Sequence, residues 1–228
     1  MQRVKPSEGE IYHVYNRGIE KRKVFLDEED HLRFIHDLFE FNDRAPAGKM
    51  YDKKQLAEVG SPHIGKREFI VEVLAFCLMP NHYHLLLRQI TENGIPEFMQ
   101  KIGTGYTGFF NKKYVRVGAL FQGKYKLVHV KEEAHFVHLP YYIHLNPLDL
   151  ITPEWRDDSI ADIPKATSFL ERYRWSSYPD YIGRKNFPSV TQREFILGFF
   201  GGTAEYKRSM LDWLQERKVE EIESLTLE

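Results

Sequence analysis

Two apolar runs, FIVEVLAFCLM (69–79) and HYHLLLR (82–88), flank the dipeptide Pro80-Asn81. Proline presets one turn dihedral and asparagine tolerates unusual ones, so the pair is suited to reversing the chain, and the runs read as a β-hairpin. The other segments are read around it. EIYHVYNRG (10–18), rich in β-branched and aromatic residues and closed by Gly18, reads as a first strand. DEEDHLRFIHDLFEFN (27–42) carries Leu32, Ile35, Leu38 and Phe39 on one stripe behind a capping Asp27, which predicts an amphipathic helix. Residues 45–68 are polar and punctuated by Gly and Pro, as in an inserted loop.

In residues 95–114 the spacing of Phe98, Ile102, Tyr106 and Phe110 predicts a helix despite three glycines, and 119–130 reads as a strand pair or one strand with a bulge at Gly123. KEEAHFVHLPYYIHLNP (131–147) opens on acidic residues and closes where Pro147 forces Asn146 out of helical geometry. Pro140 inside it is expected to remove one hydrogen bond and kink the rod. Beyond residue 150, the stretches around WSSYPDYIG, TQREFILGFF and AEYKRSMLDWLQERK suggest helices. The order predicts an α+β fold, a ferredoxin-like antiparallel sheet with helices on one side. Residues 1–150 form its main unit and 151–228 a helical C-terminal appendage.

With 42% hydrophobic and 29% charged residues, the 228-residue chain is typical of a soluble protein with a sizeable core. Its lone cysteine, Cys77, cannot form an internal disulfide and reads as a small buried hydrophobe. Neither a signal-like start nor a membrane-length apolar stretch is visible, so a cytoplasmic location is expected.

In a strand, alternate side chains share a face, so His82 and His84 project together while Tyr83 points away. Neutral imidazoles are good ligands for divalent metals, yet an edge strand can also carry two histidines for no such reason. On the later helix Tyr142 and Asn146 are four residues apart and share a face; an amide oxygen there can complete a metal shell beside a phenol. A phenol is a poor nucleophile until a metal or base assists it, and most tyrosines at such places simply pack. Spacing alone does not choose between these readings. His144 falls on another side of that helix and reads as packing or surface, while Tyr106, the rival nucleophile, belongs to an apolar stripe.

From Lys101 to Lys131 the chain has seven cations and no Asp or Glu, although its net charge is -1. Aromatic residues interleave them, as on a surface that tracks phosphates and stacks bases. Lys112, Lys113, Arg116, Gln122, Lys124 and Lys126 are the DNA-binding candidates there, with Asn16 and Arg17 beside them.

YHVYNRG, LMPNHYHLLL, GALFQGKYK, YYIHLNP and RWSSYPDYIG, in that order from about Gly9 to Gly183, resemble the REP-associated tyrosine transposases of the single-tyrosine HUH superfamily. The resemblance implies a catalytic domain over 1–150 that binds single-stranded or hairpin DNA and a divalent ion, Mg2+ or Mn2+, as a monomer or homodimer. His82 and His84 match the HUH pair, Asn146 the third ligand, and Tyr142 the nucleophile that forms a 5′-phosphotyrosine link and frees a 3′-hydroxyl. A non-catalytic hairpin-binding regulator and a water-using metal hydrolase are the alternatives.

Overall fold

The computed structural model describes residues 5–44, 67–156, 160 and 162–215. Most of the insertion expected over 45–68 lies outside these residues. Strands β1 (Ile11–Arg17), β2 (Val71–Met79), β3 (His82–Gln89) and β4 (Lys126–His129) form one sheet in the order β2-β3-β1-β4, with every neighbour antiparallel. Helix α1 (Glu28–Glu40) joins β1 to β2, and α2 (Gly94–Lys113) joins β3 to β4. This is the expected ferredoxin-like α+β arrangement. Met79 pairs with His82, so Pro80-Asn81 is the whole hairpin loop.

Parity along the strands sorts side chains to two faces. Tyr12, Val14, Tyr83, Leu85 and Leu87 point to one, where α1 supplies Phe34, Ile35 and Leu38 and α2 supplies Phe98, Ile102 and Tyr106. Burying each large apolar side chain there contributes on the order of 1.5–3 kcal/mol. A bulge between Val73 and Ala75 shifts the register of β2, so Phe76 and Leu78 join Val71 and Val73 in the same core. Without it the strand's two halves would face opposite ways. Tyr106 is fully buried there and donates its hydroxyl hydrogen to the Val24 carbonyl at 2.6 Å.

Helices cover both faces of the sheet rather than one. Helix α3 (Glu133–Leu145) lies on the second face, and helices α4 (Ile163–Arg172), α5 (Tyr178–Tyr181), α6 (Glu194–Phe200) and α7 (Thr203–Gln215) follow. Leu139, Tyr141, Tyr142, Ile143 and Leu145 are all buried, so α3 is apolar all round and needs cover on both sides. The sheet supplies one side and the C-terminal helices the other, sharing one core through Leu74, Cys77, Leu139, Tyr181, Tyr206 and Met210. Pro140 sits inside α3, which runs on as a single helix, and Asn146, expected to leave helical geometry before Pro147, keeps it with φ -47° and ψ -36° and continues into a 3-10 turn ending at Leu150.

The C-terminal segment also covers the outer edge of β2. Tyr173 and Tyr181 donate their hydroxyl hydrogens to the carbonyls of Leu78 and Leu74, at 2.7 and 2.6 Å. The Leu78 amide donates to the Trp175 carbonyl and the Phe76 amide to Ser177 Oγ. Gln192 exchanges both kinds of bond with Val73. In 119–130, Phe121 bridges to Gly18, Gly123 takes a positive φ of 72°, and only Lys126–His129 forms regular strand. No helix among the described residues is long and apolar enough to cross a membrane.

Candidate active site

The second face of the sheet carries a polar row. Register pairs Arg17 with His82, Tyr15 with His84 and His13 with Leu86, so three β1 side chains lie beside the two histidines. The His82 and His84 rings stand 5.0 Å apart, nearly perpendicular. Helix α3 crosses this face and sets the Tyr142 ring edge-on to His84, centroids 5.8 Å apart. Asn146, one turn later, donates its amide hydrogen to the Tyr142 carbonyl at 2.8 Å. The structure thus brings together His82 and His84 of β3 with Tyr142 of α3 and Asn146 at its end, two regions distant in sequence. All four are buried, Tyr142, His84 and Asn146 completely.

Hydrogen bonds orient the two imidazoles. The Asn81 amide nitrogen donates to the Lys21 carbonyl, which turns Asn81 Oδ1 toward His82 Nδ1 at 2.7 Å. That oxygen can only accept, so Nδ1 carries the hydrogen and Nε2 the lone pair. His84 Nδ1 lies 2.9 Å from His13 Nε2, and when Nδ1 is the donor Nε2 again holds the lone pair. Burial, and after it the charges of His13, Arg156 and Arg17, hold the His84 pKa well below the usual histidine range. It is therefore a neutral imidazole, the form that binds metals.

Among the described residues no three His, Cys, Asp or Glu side chains gather to hold a metal ion. An ion here would rest on two imidazoles and an amide oxygen. The imidazole pair fits that use. Asn146 Oδ1 accepts from Arg156 Nη2 at 3.0 Å, so the third position is shared with a guanidinium, although an amide oxygen has a second lone pair.

Sequence reasoning passed over Arg156. It sits at the end of a 3-10 turn, Pro153–Arg156, and its Nη1 donates to the Tyr142 hydroxyl at 2.6 Å. Asp149 anchors the guanidinium, accepting from Nη2 at 2.9 Å and from Nε at 3.2 Å, and also accepts from Trp155 Nε1. Burial opposes the charge, but the Asp149 hydrogen bonds and the neighbouring Tyr142 outweigh it and push the Arg156 pKa up. His13 was also missed, although strand alternation puts it on the same face as Arg17. Arg156 had no such signal, because only the turn after α3 returns it to the tyrosine. His144, read as packing or surface, is fully buried between Tyr206 and Ser177, at 2.6 and 2.7 Å.

The DNA-binding candidates divide. Lys112, Gln122, Lys124 and Lys126 are exposed, and Arg17 lies on the histidine face. Arg116 is half-buried over Phe110 and donates to Asn111. Lys113 and Asn16 have partners within the fold. Lys113 is ringed by Asp27, Glu29 and Asp30 at 2.7–3.1 Å, which closes α2 onto the start of α1. Asn16 faces the other side of the sheet, bonded to Gly123 and to the Arg17 amide. It lines a cleft of about 750 Å3 between α2 and residues 119–125, on the side away from the histidines.

Among curated proteins none matches the chain. A solved structure of a REP-associated tyrosine transposase bound to a REP hairpin is similar at 11% identity and a TM-score of 0.47, over 83% of this chain and 88% of that one. Residues 34–146 match the family model described as IS200-like transposase, a span that holds His82, His84 and Tyr142 and ends on Asn146. The likeness to the IS200-like transposase family thus covers 113 of the 228 residues, the part of the chain that carries the candidate site.

Proposed function

We propose that the chain cuts and rejoins single-stranded or hairpin DNA through a covalent link to Tyr142. The observation that carries this reading is the Tyr142 ring set edge-on against His84, with Asn146 one turn further on the same helix. The Tyr142 oxygen attacks the scissile phosphorus while the bond to the 3′-oxygen breaks. The phenol proton leaves with that oxygen, giving a 5′-phosphotyrosine and a 3′-hydroxyl. The reverse attack by a 3′-hydroxyl reseals DNA without ATP, because the ester link retains the bond's energy.

His82 and His84 would hold a divalent ion, Mg2+ or Mn2+, with Asn146 as the third donor, and the ion's chemistry is charge neutralisation on the phosphate oxygens. His13 and Asn81 keep both imidazoles turned for that task. Lys112, Gln122, Lys124 and Lys126, with Arg17 and Arg116, are the groups proposed to hold the DNA backbone. Complete burial of Tyr142 favours a second reading, a DNA-binding regulator in which the tyrosine only packs.

A 3′-labelled single strand carrying an inverted repeat from the DNA beside the chain's own gene, incubated with Mn2+, separates these readings. Strand transfer predicts a denaturant-resistant protein–DNA adduct that disappears in Tyr142→Phe. A water-using hydrolase gives cleavage without adduct, and a regulator gives only a salt-sensitive mobility shift.

A further inference from the structure

We propose that Arg156 is a catalytic residue, one that holds the Tyr142 oxygen before attack and takes a non-bridging oxygen of the scissile phosphate as the new ester bond forms. The inference rests on the reading of Tyr142 as nucleophile. Three observations carry it. One guanidinium touches both the reacting oxygen and Asn146, through Nη1 at 2.6 Å and Nη2 at 3.0 Å. Asp149 holds the same group from behind through Nε and Nη2, so the guanidinium is already at the tyrosine before substrate arrives. Tyr142 is fully buried, whereas the Arg156 side chain that caps its hydroxyl retains 22% exposure.

A planar, permanently charged fork suits this work. Guanidinium groups bind phosphate oxygens in pairs, and their hydrogen bonds to anions are stronger than those to a neutral phenol. A phosphate therefore competes for Nη1 and Nη2, and the shift that satisfies it also uncovers the Tyr142 oxygen. As the Tyr142 Oη–P bond forms and the P–O3′ bond breaks, negative charge peaks on the non-bridging oxygens that this fork faces. On resealing, the phenolate leaves into the same guanidinium. Its stacking between the Tyr142 and Trp155 rings, 4.9 and 4.8 Å from their centroids, keeps the charge in place through both steps.

The test compares Arg156→Ala, Arg156→Lys and Tyr142→Phe in the full-length chain, using the 3′-labelled inverted-repeat strand with Mn2+. Arg156→Ala is expected to slow adduct formation about 10²–10³-fold, the usual effect of deleting one charge-stabilising donor. DNA affinity by mobility shift should fall far less than the rate, and since Tyr142, Asn146 and Asp149 lose a partner, rates are compared at a temperature where unfolding curves show every variant folded. Arg156→Lys should recover part of the rate, and added methylguanidinium should partly rescue Arg156→Ala, which a structural role would not allow. A rate in Arg156→Ala equal to or above wild type overturns the inference, the faster outcome marking Arg156 as a latch that shields the tyrosine. In that case adduct lost only in Tyr142→Phe leaves the parent reading intact. Absence of adduct in the wild-type chain overturns both.

Discussion

The two faces of the sheet use the same strands and opposite chemistry. On one face Val14, Val73, Phe76, Leu85 and Leu87 meet α1 and α2 in an apolar layer where shape and volume decide. On the other, His13, Arg17, His82 and His84 stand in a row beneath α3, where orientation depends on hydrogen bonds such as those from His82 to Asn81 and between His13 and His84. The first face fails by losing contacts; the second fails when one polar group loses its partner. A fold that alternates residues in this way can keep a rigid core directly behind a site whose groups are expensive to bury.

Substitutions on each face can break or sharpen that contrast. The largest effect is expected from Leu85→Ala, which opens a cavity in the apolar layer and should cost about 2–5 kcal/mol in urea unfolding. At low temperature it should still form the adduct, and a chain that folds but no longer reacts would blur the division. Smaller is the effect of His13→Phe, which keeps most of the volume but removes the partner of His84 Nδ1. About 10–100-fold weaker Mn2+ binding by calorimetry is expected; unchanged affinity would mean that His84 needs no such support.

A pH experiment probes the helix above the site. Burial holds the His144 pKa down at about 3, against 6.5 for the free side chain. Between those values the unfolded chain binds a proton there that the folded chain does not, so stability falls as pH drops from about 6.5 towards 3 and is flat above. The slope from this group approaches about 1.4 kcal/mol per pH unit. His144→Gln should be less stable at pH 7 but should lose that share of the slope, read from urea midpoints across pH 4–8; parallel curves would remove His144 from the account. The smallest change in DNA affinity is expected from Lys113→Met, which should leave binding constant; because Asp30, one of its partners, is fully buried, about 1–3 kcal/mol of stability should go. A drop in affinity with unchanged stability would return Lys113 to the DNA-binding surface.

The central hairpin was legible because its signals are local: two apolar runs and a two-residue turn that pairs Met79 with His82. Helix α1 was legible for the same reason, its Asp27 cap accepting from the Asp30 amide as expected. Helix α3 showed no preferred face because nearly every side chain from Leu139 onward is covered, so helices on the second side of the sheet could not be read from periodicity. The bulge after Val73 was hidden within a continuous apolar run. Charge counted along the sequence could not show that Lys113 is surrounded by acids, since these belong to the start of α1. At the site, the pairing of His82 with His84 and the helical spacing of Tyr142 and Asn146 were visible. The guanidinium that joins the last two is brought in by tertiary structure alone.

The lining of β2 by residues 173–192 also bears on how copies of this chain meet. That border of the sheet already has Tyr173, Trp175, Ser177, Tyr181 and Gln192 attached to its main chain, while β4, at the opposite border, is four residues long. Neither offers a long open ladder to a foreign strand. Deleting the chain from Tyr173 onward would strip that border and uncover the outer side of α3 as well, and concentration-dependent self-association in sedimentation would be the expected result.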